Sequence, residues 1–527
     1  MMGSVKPSSL EIPDQPHSNP ARIRIIHIGA GASGILTAYK AKKLLRNYDL
    51  TCYEKNETIG GTWLENKYPV FSSSGCACDI PAHVYTYPFE GNPDWGSFYA
   101  PSDEIEGYLR RFYEKHELQG FFRFNTEVIS ATWDGNLGQY IVQLRGEDGK
   151  TTEDWCHALI NGSGVSNKWK WPDIPGLDSF KGPLMHTAAW KKDVEVQGKR
   201  IAVIGGGSSS VQVVPEMQKV ASQLYVCMRS PLWVCPPSAS DILERSKVEQ
   251  ATSSQEQSDV QGTAENPHRK NAANQYIYSP KEKETFAKDN QAELLKYRRA
   301  LEKAEVSEFA FFLSGSEINK EAKKEWAERM DSRMGPGHEE LKKMIIPTSS
   351  LYGVNGLSIR DWWNPLPKPY LATTTPHFPN YFHINGPRGN WALGCAMPSI
   401  GAQIEYAMKC IAKMSDDQVK AMEVREDVTQ QLNDYFDAWH SGSVWGEKCK
   451  SWYKNNTTDG PVMLWAGSLV HMLKTLQTPR FEHYRFEYRN SNMWTFLKNG
   501  RTAAEVEGRW DDAVAYLRNE DVPYHID

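Results

Sequence analysis

The sequence predicts an α/β chain built on two Rossmann-like dinucleotide-binding units, with a helical insertion in the second. Three observations predict it. An apolar β-branched run (Ile23, Ile25, Ile26, Ile28) turns at Gly29-Ala30-Gly31-Ala32-Ser33-Gly34 and enters a stretch of helical spacing with Ile35, Leu36, Ala38, Tyr39, Leu44 and Leu45. A second run, Arg200 to Ile204, turns at Gly205-Gly206-Gly207-Ser208-Ser209-Ser210 and meets another helical pattern at Val211, Val214, Met217 and Val220. Beyond it, Ser279 to Lys343 is charged and helical in character. A strand, a Gly-rich turn and a helix in that order bring backbone N–H groups and a positive helix end to a pyrophosphate.

In the first unit each glycine has its own task. Gly29 allows the tight turn, Gly31 the approach of a pyrophosphate, and Gly34 the close packing of helix on strand; Ser33 lies in the same loop. A second strand, Leu50 to Tyr53, ends at Glu54, 20 residues past Gly34 (54 − 34), where a carboxylate can take ribose hydroxyls. Gly60-Gly61-Thr62-Trp63, Tyr68-Pro69 and Gly75-Cys76-Ala77-Cys78-Asp79-Ile80-Pro81 follow. Their glycines permit close approach to a ring system, Trp63 offers a flat face and Asp79 a carboxylate; an aromatic surface loop has the same composition. Aromatic residues between His83 and Tyr99, Tyr85 among them, can wall a pocket or fill a core. Ser102 starts a helix with apolar positions Ile105, Tyr108, Leu109 and Phe112. Phe124 to Leu144 reads as two or three strands joined at Asp134-Gly135, and Ala158 to Ile160 as a strand running into a turn at Gly162 and Gly164.

In the second unit Ser210 stands where a third glycine is usual and is small enough to fit. A strand from Leu224 to Cys227 ends at Met228-Arg229-Ser230, where an arginine favours a 2′-phosphate over a free ribose hydroxyl. Glu54 in front and Arg229 behind therefore suggest FAD in the first unit and NADPH in the second. Ser238 to Lys270 is polar without periodicity and reads as a mobile loop. Leu351 to Trp363 reads as irregular chain plus a short helix. Phe378 to Ile384 is a strand ending at Asn385-Gly386-Pro387, and a helix follows with Ile400, Ile404, Met408 and Ile411. The expected division is a disordered tail (1–20), a first FAD-binding part (21–170), an NADPH-binding domain (171–364) with its insertion at about 238–345, and a second FAD-binding part with the C-terminal region (365–527).

Composition narrows the function class. The 527 residues carry a formal net charge of −5 and the isoelectric point is near 6.3, which gives no reason to expect a nucleic-acid partner. Mean hydropathy is −0.58 and no apolar run reaches the length of a membrane span. Nine scattered cysteines fit reduced thiols and a cytoplasmic location. Cys76-Ala77-Cys78 lacks a second pair or a nearby His, so no metal site is expected.

Between the two Gly loops lies Phe180-x-Gly182-x-x-x-His186-x-x-x-Trp190. It resembles the fingerprint of the type I Baeyer–Villiger monooxygenases, a group of the class B flavoprotein monooxygenases, with Trp190 as the discriminating residue. Gly61-x-Trp63 through Tyr68-Pro69 and Gly75-x-x-x-Asp79 resembles that family's longer fingerprint. The similarity continues through Cys449–Lys454 and Pro479–Glu482, covers nearly everything from Ile23 onward, and points to fungal enzymes of secondary metabolism. The resemblance implies FAD, NADPH and O2 as reactants with a small-molecule substrate, a ketone converted to an ester or lactone. By resemblance Asp79 sits near the flavin, His186 belongs to the hinge between the units, and Trp190 joins them in the catalytic set. The implied cofactor contacts are Gly29, Gly31, Ser33, Gly34, Glu54, Gly61, Thr62, Trp63, Cys78, Asp79, Ile80, Tyr85, Val128, Gly205, Gly207, Ser208, Ser209, Ser210, Arg229 and Ser230.

The chain departs from that pattern twice. Val70 to Ser74 interrupt the longer fingerprint, and Ile345-Ile346-Pro347 leads almost directly into Leu351-Tyr352-Gly353. The family carries several tens of further residues at the second place, including an arginine beside the flavin that has no match here. Two alternatives stay open: oxygenation at nitrogen, sulfur or carbon without ester formation, and a degenerate flavin-binding paralogue without monooxygenation.

Overall fold

The computed structural model describes residues 12–17, 19–68, 76–164, 169, 171–172, 174–191, 193–228, 276–321, 350–390, 394–448, 452–454, 457–520, 522 and 526. The expected loop 238–270 and the charged stretch 322–343 lie outside them.

Strand β1 (Ile23–Ile28) is the centre of the main sheet. On one side it pairs with β2 (Tyr48–Tyr53), which pairs with β3 (Phe122–Arg123). On the other it pairs with β7 (Ala158–Asn161), which pairs with β11 (Tyr381–His383). All four pairings are parallel, so the central strand is covered on both faces, and Ile23, Ile25 and Ile26 are all buried. Helix α1 (Ala32–Leu44) turns Ile35, Leu36, Ala38 and Ala41 inward. It packs on the long helix α8 (Ala396–Asp416), whose Ile400, Ile404, Met408 and Ile411 belong to the same core. The chain leaves β1 toward β2 on one side, while β7 lies on the other. The turns after β1 and β7 therefore diverge and leave a crevice at the strands' C-terminal edge.

A second sheet packs below. Strands β4 (Thr126–Asp134), β5 (Gln139–Gly146) and β6 (Thr151–Cys156) form an antiparallel meander. Strand β10 (Ser350–Tyr352) adds to β4 in parallel, with Leu351 opposite Ala131. The stretch expected to be irregular thus opens with a strand, too short to show a period of two. Leu351, and Ile359 of the short helix α7 (Ile359–Trp362), share an apolar cluster with Val128 and Ala131. Residues 350–364 consequently belong with the first unit, and the expected boundary at 364 is too late.

The insertion also packs there. Ser279 and Glu282 form a capping box at the start of α5 (Pro280–Ala287), and α6 (Ala292–Ser307) follows. Tyr278 and Leu301 join the main core, and Arg298 donates from Nε to the His83 carbonyl at 2.9 Å and from Nη2 to the Tyr87 carbonyl at 3.1 Å. The described part of the insertion is thus a buttress of the first unit. The expected free tail is likewise tied down over part of its length. The His17 N–H donates to the Arg501 carbonyl at 2.6 Å, and Lys498 Nζ donates to the Asn19 carbonyl at 2.6 Å.

The second unit is slighter. Strands β8 (Arg200–Ile204) and β9 (Gln223–Cys227) pair in parallel, Ile201 opposite Leu224, with α4 (Ser208–Val220) against them. Among the described residues their sheet has two strands. Its core is a cluster of Val213, Met217 and Val220 shared with Tyr68 and Cys76 of the first unit.

A candidate cofactor cleft at the strand ends

A cavity of about 400 Å³ occupies the crevice beyond β1, β2, β7 and β11. Its floor is backbone. Gly29 has φ +104°, and a Cβ there would lie 2.9 Å from the Gly162 carbonyl oxygen. A Cβ on Gly34 would overlap the Gly29 carbonyl oxygen, and one on Gly61 (φ +53°) would come within 2.8 Å of Gly31 Cα. Side chains are therefore sterically excluded at three points of the cradle. Gly31 is the N-cap of α1, makes no side-chain cap, and no acid stands in the first turn. The helix thus turns open N–H groups toward the cavity, as an anion requires.

Glu54 closes one side of the cleft. It is 5% exposed; Oε2 accepts from the Ala30 N–H at 2.7 Å and Oε1 from the Asn56 N–H at 2.9 Å. Burial pushes its carboxyl up, and the two N–H groups oppose that shift. Each oxygen keeps a lone pair for a hydroxyl donor. Trp63 and Tyr85 stand edge to face, ring centroids 5.4 Å apart, and the indole N–H donates to the Tyr85 hydroxyl at 3.2 Å.

Gly29, Gly31, Ser33, Glu54, Gly61, Thr62, Trp63 and Tyr85 all line the cavity, as do Gly162 to Gly164, Trp169, Ala188, Asn385, Ala396 and Ile400. Gly34 acts one layer behind, by letting α1 approach β1. Among the described residues Asn385 Oδ1 and the nearby Gln403 Nε2 are buried without a partner, although Gln403 Oε1 accepts from the Asn385 N–H at 2.6 Å. Orphaned polar atoms at a cavity wall are what a bound ligand would satisfy. The donor set fits a dinucleotide: an open helix end for phosphate, a carboxylate for ribose, and an aromatic and amide wall for a ring system.

Other expected residues lie apart. Cys78 is buried, its N–H donating to the Ala100 carbonyl at 2.9 Å, and Asp79 beside it is exposed. Cys78, Asp79 and Ile80 are not among the lining residues. Val128 is buried in the second core, two residues from Thr126, whose N–H donates to the Glu54 carbonyl at 2.8 Å. His186 is half-buried and stacks on Trp169 at 4.6 Å and 8°. Its Nδ1 accepts from the Ala188 N–H at 3.1 Å, and burial holds its pKa below the usual imidazole range. It thus shapes the wall through Trp169 and Ala188. Trp190 packs with Trp63 on the cluster of Tyr68, Cys76, Val213 and Met217, at the joint of the two units.

In the second unit Gly205 (φ +123°) makes the turn, and its N–H donates to the Cys227 carbonyl at 2.9 Å. Gly207 is the N-cap of α4 and again makes no side-chain cap. Ser209 and Ser210 follow in the first turn, and Ser208 opens it. Arg229, Ser230, Gly75 and Val70 to Ser74 lie outside the described residues. Asn385, Trp169 and Ala188 escaped the sequence reading; the strand ending at Asn385-Gly386-Pro387 was the available signal for the first.

Residues 22–242 match the profile of flavin-binding monooxygenase-like proteins. The chain is 32% identical over 572 aligned positions to the FAD-binding monooxygenase moxY of Dothistroma septosporum, covering 95% of this chain and 86% of that protein. It is also 32% identical to the FAD-binding monooxygenase stcW of Emericella nidulans, over 96% of this chain and 90% of that one. Among solved structures, cyclohexanone monooxygenase from Rhodococcus sp. Phi1 bound to NADP+ superposes with a TM-score of 0.61 at 22% identity. The OTEMO complex with FAD and NADP gives 0.68 at 20%. Both comparisons cover 89% of this chain and all of the other. On this evidence of shared sequence along nearly its whole length, the chain belongs to the flavin-binding monooxygenase-like family of class B flavoprotein monooxygenases.

Proposed function

We propose that the chain uses FAD and NADPH to insert one oxygen atom of O2 into a ketone, a Baeyer–Villiger oxidation giving an ester or lactone, in fungal secondary metabolism. The observation that carries this reading is the placement of the Phe180–Trp190 fingerprint. Trp190 lies at the joint of the two units, and His186 is stacked against the Trp169 wall of the cleft. The likeness to moxY and stcW, both FAD-binding monooxygenases, supports the cofactor.

The flavin supplies the redox chemistry, and this chain's residues hold it. Gly29, Gly31 and Gly61 admit the pyrophosphate, Glu54 takes the ribose hydroxyls, and Trp63 and Tyr85 wall the ring end against water. Arg229 would select the 2′-phosphate of NADPH; Arg229→Ala is expected to raise the Michaelis constant for NADPH roughly ten- to hundredfold and leave that for NADH unchanged. Equal losses with both cofactors would remove Arg229 from that role.

A specific observation favours a weaker activity. The alignment with moxY is longer than this chain, so part of that relative has no counterpart here. The short run from Pro347 to Leu351 is where the sequence places the loss, and with it the guanidinium beside the flavin. Removing one such oxyanion contact costs about 3–4 kcal/mol, two to three orders of magnitude in rate. Incubation with NADPH, ¹⁸O2 and a panel of ketones tests the proposal. Slow NADPH oxidation, mostly hydrogen peroxide, and a small yield of singly labelled ester are expected. NADPH oxidation without ester from any ketone, but with oxygenated amine or sulfide, would replace the reading. An inert flavoprotein would reduce it to a binding paralogue. Near-unit coupling to ester would show that another residue has taken the arginine's place.

A further inference from the structure

Ala77 forms an isolated antiparallel β-bridge with Pro101, and both edges of its short extended segment are satisfied. On one edge the Ser102 N–H donates to the Cys76 carbonyl at 2.6 Å and the Cys78 N–H to the Ala100 carbonyl at 2.9 Å. The other edge exposes the N–H and C=O of Ala77, as strand alternation requires. Among the described residues no backbone meets them. Instead the amide of Gln212 does: its Oε1 accepts from the Ala77 N–H at 3.1 Å and its Nε2 donates to the Ala77 carbonyl at 2.9 Å. The Tyr68 hydroxyl donates to the same Oε1 at 2.9 Å. Gln212 belongs to α4 of the second unit, four residues after Ser208 opens the helix. Gln212 and Ala77 are both partly buried, beside the apolar cluster of Tyr68, Cys76, Val213 and Met217.

We propose that Gln212 is a positioning residue that couples the second dinucleotide to the wall of the flavin cleft. A pyrophosphate seated at the N-terminus of α4 would act on the same helix turn from which Gln212 reaches across. The amide ties Ala77 and Tyr68 to α4, and Tyr68 packs in one cluster with Trp63, which lines the cleft. An apolar side chain of the same length would fill the joint but leave both Ala77 groups unpaired, and the segment free of α4. This role rests on the NADPH reading above; the bridge itself does not.

The test uses the full-length FAD-loaded protein with Gln212→Leu, and with Gln212→Glu, which keeps the acceptor and loses the donor. Hydrogen exchange of the 76–81 peptide is expected to speed at least tenfold in Gln212→Leu and less in Gln212→Glu. Flavin reduction by NADPH is expected to slow at least tenfold in Gln212→Leu, with NADP+ affinity within twofold of wild type and reduction by dithionite unchanged. Unchanged exchange would overturn the bridge. Faster exchange with wild-type reduction by NADPH, or an equal loss in NADP+ affinity, would make Gln212 structural glue and overturn the coupling. A wild-type protein that NADPH does not reduce would refute the NADPH reading, and with it the coupling, while exchange still judges the bridge.

Discussion

The two Gly-rich turns look alike in sequence and differ in what surrounds them. In the first, a Cβ at Gly34 would overlap backbone and one at Gly29 would press on the Gly162 carbonyl. In the second, nothing among the described residues lies within 4 Å of a Cβ at Gly205 or Gly207. The first strand is buried at the middle of five, whereas β8 and β9 pair with each other among the described residues and leave Ile204, Tyr225 and Val226 well exposed. The same motif therefore serves two physical purposes. In front, packing demands glycine before any ligand arrives; behind, Gly205 is demanded by its φ of +123°, and nothing among the described residues demands Gly207.

The largest expected effect follows directly. Gly34→Ala should cost about 3 kcal/mol, because both partners of the clash are backbone and cannot swing away. The readouts are loss of bound FAD and a lowered midpoint of thermal unfolding; a yellow protein of wild-type stability would dissolve the contrast.

Next comes Glu54→Ala, which removes the ribose acceptor and leaves the Ala30 and Asn56 N–H groups without their carboxylate. A loss of about 1.5–3 kcal/mol, roughly ten- to hundredfold in the dissociation constant for FAD, is expected by titration of the apoprotein. An unchanged constant would move the ribose elsewhere.

A smaller effect concerns acid. His27 on β1 is fully buried, its Nδ1 paired with the Gly29 carbonyl, and desolvation lowers its pKa to about 4. An unfolded imidazole takes its proton near 6.5, so between those values the unfolded state binds more protons and stability falls as pH falls. His27 alone should remove about 2 kcal/mol at pH 5 relative to pH 7.5. Thermal unfolding of His27→Gln should show a shallower acid slope; parallel slopes would show that His27 does not titrate on unfolding.

The smallest expected effect is the sharpest contrast to Gly34. Gly207→Ala should shift stability by less than about 0.5 kcal/mol and leave FAD retention intact. Its φ of −79° suits any residue, so any change should appear only in the Michaelis constant for NADPH. Destabilisation comparable to Gly34→Ala would mean that the second turn is as tightly packed as the first.

Local spacing carried most of the first unit into view. The glycine intervals, the acid at Glu54 and the helical period of Ile400 to Ile411 are properties of short windows, and each lands at the cleft or directly behind it. What stayed hidden depends on distant pairing. Strand β10 is three residues long and exists because β4 offers it an edge more than 200 positions earlier in the chain. The insertion docks on the first unit because Tyr278 and Leu301 find the main core and Arg298 finds two carbonyls there, which no helical period reports. Gln212 reads as one polar residue in a helix until Ala77 is placed opposite it. Asn385 gains meaning only when β11 lies beside β7.

The occupant of the front cleft tests the account most directly. Heat release of the bound cofactor from the purified chain, followed by chromatography and absorbance, should give FAD at close to one per chain. A colourless protein, or one that holds FMN as readily, would contradict the reading of Gly29, Gly31 and Glu54 as a grip on an adenine dinucleotide.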